Sequence, residues 1–385
     1  MKKILYLHAG AEMYGADKVL LELVSGIDKS KFECTIVLPN DGVLVKAMKK
    51  KGLNVSIIPY PILRRKIFSP IGIIKYAFEY FKYSLMLIKL IKKYQIDIIH
   101  INTTAVLEGI LIKIITRKKV LWHVHEIITQ PKFIYKIISF LVNKFSDKAV
   151  AVSKATKEHL INSGLVDRKK VSVIYNGVDG EVYSPFNPID YLYSDFNIPT
   201  DSIVVGMIGR VNSWKGQKDF ILAMEPLMKE NKKIYAVLVG GVFEDEYHFM
   251  DDLKQIIQNS KFEERFIVSD FRDDIANIHN FFDIFVLPST SPDPLPTVVL
   301  ESMASGKPVV GYRHGGVTEM VVENQNGLLA NPNSPKDLGN KIQQLIIDTN
   351  KRKKFGENSL ERQKKFFDKK MYIYNFENKY GELEG

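Results

Sequence analysis

The 385-residue chain contains a single cysteine, Cys34. One thiol excludes an internal disulfide and any cysteine-clustered zinc or iron–sulfur site, and it fits a reducing, cytoplasmic setting. Long apolar runs are missing as well. Lys2 and Lys3 followed by Ile4-Leu5-Tyr6-Leu7 imitate the start of a signal peptide, but His8 interrupts the run well short of the roughly seven apolar residues a signal needs. The most apolar stretch, 71–91, carries Lys75, Glu79, Lys82 and Lys89 at helical spacings. That pattern predicts an amphipathic helix with a charged face, not a membrane span. The dinucleotide fingerprint is also absent. His8-Ala9-Gly10-Ala11-Glu12-Met13-Tyr14-Gly15 lacks the G-x-G-x-x-G spacing, and no acid ends the second strand at Leu38-Pro39-Asn40, which argues against a nicotinamide cofactor.

What is present is an ordinary globular composition, 45% hydrophobic and 25% charged, which excludes long disorder. In the first half, short β-rich apolar runs at 4–7, 34–38, 55–58, 96–101, 119–124, 148–152 and 171–174 alternate with helical patterns. Such alternation predicts a parallel sheet covered on both faces. Pro185, Pro188 and Pro199 mark the stretch 179–200 as a linker. The alternation then restarts at 203–208, 234–239, 266–268, 284–287, 308–311 and 328–329. The expected organisation is therefore two doubly wound α/β domains, 1–178 and 201–365, facing each other across a cleft. The aromatic final helix, about 366–385, is expected to pack back on the first domain. Ligands of such sheets lie beyond the carboxyl ends of the strands.

Charge divides unevenly. Up to Val178 there are 30 Lys and Arg against 13 Asp and Glu, a net of +17, while the remainder has 24 against 31, a net of −7. Such a split marks a surface that meets anionic partners, or a Lys-rich compositional bias.

Three segments carry candidate chemistry. Gly15-Ala16-Asp17 opens a helix, where free amides suit phosphate oxygens, although a simple turn and cap explains it equally well. Gly209-Arg210-Val211-Asn212-Ser213-Trp214-Lys215-Gly216 sets two cations on a loop between strand and helix, able to neutralise a diphosphate. Asp293-Pro294-Leu295-Pro296-Thr297-Val298-Val299-Leu300-Glu301 enters a helix through prolines, leaving the amides of Thr297, Val298 and Val299 at its positive end. Glu301, one turn inside, can bridge two vicinal hydroxyls, and Asp293 can accept from others. Two acids around a helix N-terminus fit a ligand with an anionic middle and polyol ends. A paired-carboxylate hydrolase is disfavoured, because Arg210 and Lys215 would keep both acids ionised.

Together with Ser302-Met303-Ala304-Ser305-Gly306-Lys307-Pro308-Val309-Val310, Gly315-Gly316-Val317-Thr318-Glu319 and Asn176-Gly177-Val178-Asp179, these segments resemble the family-four glycosyltransferases of the GT-B fold. The resemblance implies that Arg210 and Lys215 grip the donor diphosphate, Glu301 binds the nucleotide ribose, Asp293 holds hydroxyls of the transferred sugar, and Gly15 approaches the phosphates. Leu295, Thr297 and Val298 complete the implied donor site. His125, in Trp122-His123-Val124-His125-Glu126, matches a His near the reacting carbon, with the choice between His123 and His125 left open. The implied reaction is retaining and metal-independent, with a nucleotide-sugar donor carrying UDP or alternatively GDP, and no cofactor. The chain departs from the family at Asp293, usually Glu, and at Tyr14, usually Gly.

Cations and apolar residues are interleaved in Arg64-Arg65-Lys66, in 71–94 and in Pro131-Lys132-Phe133-Ile134-Tyr135-Lys136-Ile137-Ile138-Ser139-Phe140. This composition suits an anionic membrane surface, or core-facing helices. No nucleic-acid module is present, so no nucleic-acid partner is expected. The expected partner is a lipid-linked oligosaccharide or glycan acceptor at the inner face of a cell membrane, in surface-polysaccharide assembly. An epimerase of the same architecture and a non-catalytic membrane-binding protein are the competing functions.

Overall fold

A computed structural model describes residues 1–64, 67–243 and 246–383. Arg65 and Lys66 of the first basic cluster lie outside the described residues. The chain divides into two compact units, Met1–Gly177 with Lys369–Gly385, and Val178–Asp368.

The first unit runs β1 (Lys2–Leu7), α1 (Gly15–Gly26), β2 (Phe32–Leu38), α2 (Val43–Lys50), β3 (Asn54–Ile57), α3 (Pro70–Tyr94), β4 (Ile98–Ile101), α4 (Glu108–Thr116), β5 (Lys119–Val124), α5 (Lys132–Phe145), β6 (Lys148–Ala151), α6 (Lys154–Ile161) and β7 (Val171–Val173). All neighbours pair in parallel, in the order β3-β2-β1-β4-β5-β6-β7. Strands covered on both faces need apolar residues at successive positions, not alternation, and β4 reads Ile-Ile-His-Ile with every residue buried. Its buried His100 is satisfied by the Tyr380 hydroxyl, 2.6 Å from Nδ1. Tyr380 belongs to the last helix, Lys369–Glu382, which packs on α1. That helix buries Tyr372, Phe376 and Tyr380 in the core of the first unit with Tyr6.

The helix α3 begins where its sequence directs. Ser69 accepts from the amide of Gly72 and Pro70 occupies the first turn, while Gln95 ends it in the left-handed conformation. Only Ser84, Leu87, Ile88 and Ile91 are buried along its 25 residues. Ile71 is 81% exposed and Phe78 is 70% exposed. No helix among the described residues is long and apolar enough to cross a membrane.

The second unit has β8 (Ile203–Ile208), β9 (Ile234–Val239), β10 (Phe266–Ser269), β11 (Ile284–Leu287), β12 (Val309–Tyr312) and β13 (Gly327–Ala330), in the order β10-β9-β8-β11-β12-β13. Between them lie helices Gln217–Glu230, Tyr247–Gln258, Ile275–Phe281, Thr297–Ala304 and Val317–Met320, and Pro335–Ile347 and Thr349–Phe366 follow. The stretch 179–200, expected as a linker, folds into this unit. It forms a short helix at Asp190–Asp195, the Tyr191 hydroxyl donates to Asp274, and Asn280 donates to the carbonyls of Pro185 and Asn187. Prolines there shape a packed segment, not a tether. The expected final helix from 366 is shifted too, since Phe366 ends the preceding helix and Phe367 accepts from the amide of Val178 within the second unit.

In both sheets the strand order turns about the first strand: β1 lies between β2 and β4, and β8 lies between β9 and β11. The chain therefore leaves opposite faces of the sheet on either side of this point. Within each sheet, ligands of doubly wound folds are held beyond the carboxyl ends of the strands at this point, β1 and β4 in the first unit and β8 and β11 in the second.

Candidate functional site

In the second unit the two loops beyond β8 and β11 are stitched together. Thr290 donates its amide to the carbonyl of Trp214 at 2.7 Å, and Asn212 Oδ1 accepts from the amides of Trp214 and Lys215. Gly216, at φ +86°, joins this loop to the helix Gln217–Glu230, and a β-carbon there would stand 1.9 Å from the carbonyl oxygen of Pro288. Only glycine allows that approach. Lys215 is thereby directed onto Asp293: Nζ lies 2.5 Å from Oδ2, with the two side chains 14% and 9% exposed. Lys215 also sits 4.5 Å from the Trp214 ring centroid. Arg210 is placed over Phe243, its guanidinium carbon 3.8 Å from the ring centroid, a cation–π contact that keeps the planar fork in a defined attitude.

The loop bearing Asp293 is held from the other side by Gly315 and Gly316. Gly316 donates to the Asp293 carbonyl at 2.8 Å, and Gly315 adopts φ +60° with space for no side chain against the Asp293 backbone. The glycine pair of the sequence motif thus positions Asp293. Beyond it Leu295 is buried, and Thr297 and Val298 open the helix Thr297–Ala304, which has no side-chain cap. The expectation of three free amides is corrected in part, because that of Val299 donates to the carbonyl of Pro296. Glu301 is buried one turn in, and its Oε2 lies 3.1 Å from Nε2 of the buried His279.

In the first unit Gly15 is the first residue of α1. Asp17 caps that helix, accepting from the amides of Met13 at 3.0 Å and Tyr14 at 2.7 Å. Met13 precedes the helix with φ +141°, an unusual conformation for a residue with a side chain. Asp17 also reaches His8, with 2.6 Å from Oδ1 to His8 Nε2, and His8 Nδ1 is 3.1 Å from Asn102 Nδ2. Asn102 Oδ1 faces both His123 Nδ1, at 2.9 Å, and His125 Nε2, at 3.3 Å.

Of the two histidines left open by the sequence, His123 is fully buried and packs against Phe376, whereas His125 follows the end of β5 and stays partly exposed. Burial pushes both imidazoles down, His125 to about 3, with the nearby His8 adding to the effect. Both rings are therefore neutral at physiological pH. Glu126 steadies the His125 backbone by accepting its amide at 3.1 Å, and is itself held by Thr103 and Thr104. Burial raises the Glu126 carboxyl and outweighs these hydrogen bonds.

The structure thus joins Lys215 to Asp293 and pairs Glu301 with a residue not singled out in the sequence, His279. His8 and Asn102 were also missed as site residues. Their signal was positional: each is the first residue after a buried parallel strand, on the edge where ligands bind. Among the described residues no group of three or more His, Cys, Asp or Glu could hold a metal ion.

Comparison with known proteins agrees with this architecture. The family model described as Glycosyltransferase Family 4 matches residues 13–182, and that described as Glycosyl transferases group 1 matches residues 192–362. The chain belongs to these GT-B glycosyltransferases. An uncharacterized glycosyltransferase of Methanocaldococcus jannaschii is 29% identical over 65% of this chain and 62% of its own length, less than two thirds of that relative. The UDP-Gal:alpha-D-GlcNAc-diphosphoundecaprenol alpha-1,3-galactosyltransferase of Escherichia coli is 26% identical over 86% of this chain and 87% of its own length. The solved structure of Anabaena HepE in complex with UDP and glucose superposes with a TM-score of 0.86 at 25% identity, covering 99% of this chain and all of that one.

Proposed function

We propose that the protein transfers a sugar from a UDP-sugar to a lipid-linked oligosaccharide or glycan acceptor, with retention of anomeric configuration and without a metal, in the assembly of a cell-surface polysaccharide. The observation that carries this reading is the buried Lys215–Asp293 pair at the strand edge of the second unit, beside a helix N-terminus without a side-chain cap and the buried Glu301. Arg210 and Lys215 supply positive charge where a diphosphate leaves. As the bond between the sugar C1 and the phosphate oxygen breaks, the electron pair passes to the nucleoside diphosphate, an acceptor hydroxyl oxygen bonds to C1 on the same face and gives its proton to the departing phosphate, and cations aimed at the developing charge lower the barrier. Glu301, kept in place by His279, accepts from ribose hydroxyls. Asp293 accepts from sugar hydroxyls once the diphosphate takes Lys215 as a partner. Glu301 and Asp293 thus divide the two polyol ends of the donor between them.

UDP bound to the similar Anabaena structure supports a uridine donor, and the diphosphoundecaprenol in the name of the Escherichia coli relative supports a lipid-linked acceptor. The exposed Ile71, Ile74 and Phe78 of α3 and Phe133 and Ile137 of α5, interleaved with Lys75, Lys82, Lys132 and Lys136, fit a peripheral position on anionic lipid at the cytoplasmic face. The deciding experiment is a thermal-shift panel of UDP, GDP and their sugars, followed by transfer from the stabilising donor to a polyprenyl-diphosphate sugar in the presence of chelator. Stabilisation by UDP and chelator-insensitive transfer are expected; failure of every nucleotide to stabilise the protein overturns the reading.

A further inference from the structure

The hydrogen bonds around His125 have a direction, and Asp17 sets it. Asp17 Oδ2 already accepts two backbone amides, and burial, which would raise its carboxyl, is outweighed by the bonds from His8 and these amides, so the group is lowered and stays a carboxylate. An anionic oxygen 2.6 Å from His8 Nε2 requires a proton on that nitrogen. Asn102 meets His8 Nδ1 through its side-chain nitrogen, which only donates, so Nδ1 accepts. Asn102 must turn its amide hydrogens toward it, at 3.1 Å, and this leaves Asn102 Oδ1 facing His123 Nδ1 and His125 Nε2. That oxygen only accepts, so both facing nitrogens, which lie 3.2 Å from each other, direct hydrogen at it as a shared acceptor.

We infer that Asp17, His8 and Asn102 are positioning residues that hold the proton of His125 on Nε2 and leave Nδ1 as an acceptor. The relay starts in the first turn of α1, two residues from Gly15, and ends at the partly exposed His125. Its members come from the loops beyond β1 and β4 and the end of β5, strands that lie side by side in the sheet. A neutral imidazole of fixed tautomer offers a sugar hydroxyl a lone pair in one orientation, where an unfixed ring would offer donor and acceptor by turns. The effect on turnover rests on the reading that His125 meets the donor sugar, whereas the tautomer does not.

Asp17→Asn tests the relay with little change of shape. The side-chain oxygen of the new residue can keep the amides of Met13 and Tyr14, and its NH2 group faces His8 Nε2, which must then accept. His8 takes its proton on Nδ1, Asn102 turns over, and His125 becomes protonated on Nδ1. In the full chain labelled with 15N-histidine, imidazole nitrogen shifts are expected to show His125 protonated on Nε2 in the wild type and on Nδ1 in Asp17→Asn. Asn102→Asp, which keeps an acceptor facing both rings, is expected to retain the wild-type tautomer. A wild-type His125 protonated on Nδ1, or an unchanged tautomer in a folded Asp17→Asn, overturns the inference. The Asp17→Asn enzyme is expected to lose at least about tenfold in kcat with little change in donor KM, the size usual for supports of a site residue. A tautomer that moves while Asp17→Asn and His125→Ala keep wild-type kcat leaves the relay standing and removes His125 from the sugar site.

Discussion

Beyond β1 and β4 the first unit carries His8 and Asn102; beyond β8 and β11 the second carries Lys215 and Asp293. The sheet topology at these two places is the same, yet the first gathers the neutral rings of His123 and His125 around Asn102 and the second holds a full ion pair. Burial explains how each tolerates its polar groups. His123 and His125 have shed their charge because burial strips most of their hydration, while Lys215 and Asp293 are paired at 2.5 Å. One backbone geometry therefore holds neutral imidazoles in one unit and a lysine–carboxylate pair in the other.

The comparison can be broken most strongly at the charged side. Lys215→Ala or Arg210→Ala is expected to lower kcat by roughly 10²- to 10³-fold, as removal of one group aimed at developing charge does elsewhere. Arg210→Lys should recover little, since an ammonium cannot reproduce the planar fork. Steady-state kinetics with the stabilising donor decides, and wild-type turnover in either variant removes the diphosphate role.

Stability gives the next largest effect. Lys215→Met strands Asp293, and removing one partner of a buried pair costs about 3 kcal/mol. Lys215→Met with Asp293→Leu should regain much of that, because neither charge is then buried alone. Chemical unfolding followed separately in the two units by hydrogen exchange distinguishes a local loss from a global one. If the double variant is no better than the single, the pair is not the unit of stability.

Glu301→Ala should weaken nucleotide binding at least about tenfold through loss of charge-assisted hydrogen bonds. Calorimetric titration with the nucleoside diphosphate measures this directly; an unchanged affinity in the folded variant reassigns Glu301 to supporting His279.

Acid should separate the units more gently. His100 and His125 are lowered to about 3 by burial, so the folded first unit excludes protons that the unfolded chain takes up near 6.5. Stability is therefore complete above that value and falls as pH drops from 6.5 toward 3, by up to about 1.4 kcal/mol per pH unit for each such ring. Glu108 acts in the opposite sense. Burial raises it to about 8, so its contribution is present at acid pH and lost as pH rises from 4.5 to 8. In the second unit burial lowers Lys307 to about 8, which costs stability as pH falls from 10.5 to 8 and is constant below. Between pH 7 and 5, hydrogen exchange should quicken in β4 and β5 and change less in β8 and β9. Equal acceleration in both units would contradict the neutral-ring account.

The smallest expected effect per residue lies on the surface. Each Lys or Arg near anionic lipid contributes about 1 kcal/mol, within a screening length of roughly 8 Å at physiological salt. Cosedimentation should require phosphatidylglycerol, decline with added salt, and weaken when Arg64, Arg65, Lys66, Lys132 and Lys136 are neutralised, while nucleotide binding survives. Equal recovery with neutral vesicles would assign the basic half to another partner.

Local pattern determined the alternation of strands and helices. A parallel strand covered on both faces must be apolar at every position, so runs such as Ile203–Ile208 and Ile234–Val239 announce themselves without any partner. Loops with paired glycines and cations between strand and helix are local too, which is why Arg210, Lys215, Asp293 and Glu301 were readable as a group. The sequence could not tell how these groups treat one another. Lys215 and Asp293 are 78 positions apart and His8 and Asn102 are 94 apart, and their contacts exist only because parallel strands bring distant loops to one sheet edge. The packing of 179–200 into the second unit, the choice of His125 over His123 as the ring with exposed surface, and the polarity from Asp17 to His125 were decided there as well. Each depends on burial and on hydrogen-bond direction, which become defined when the whole sheet has assembled.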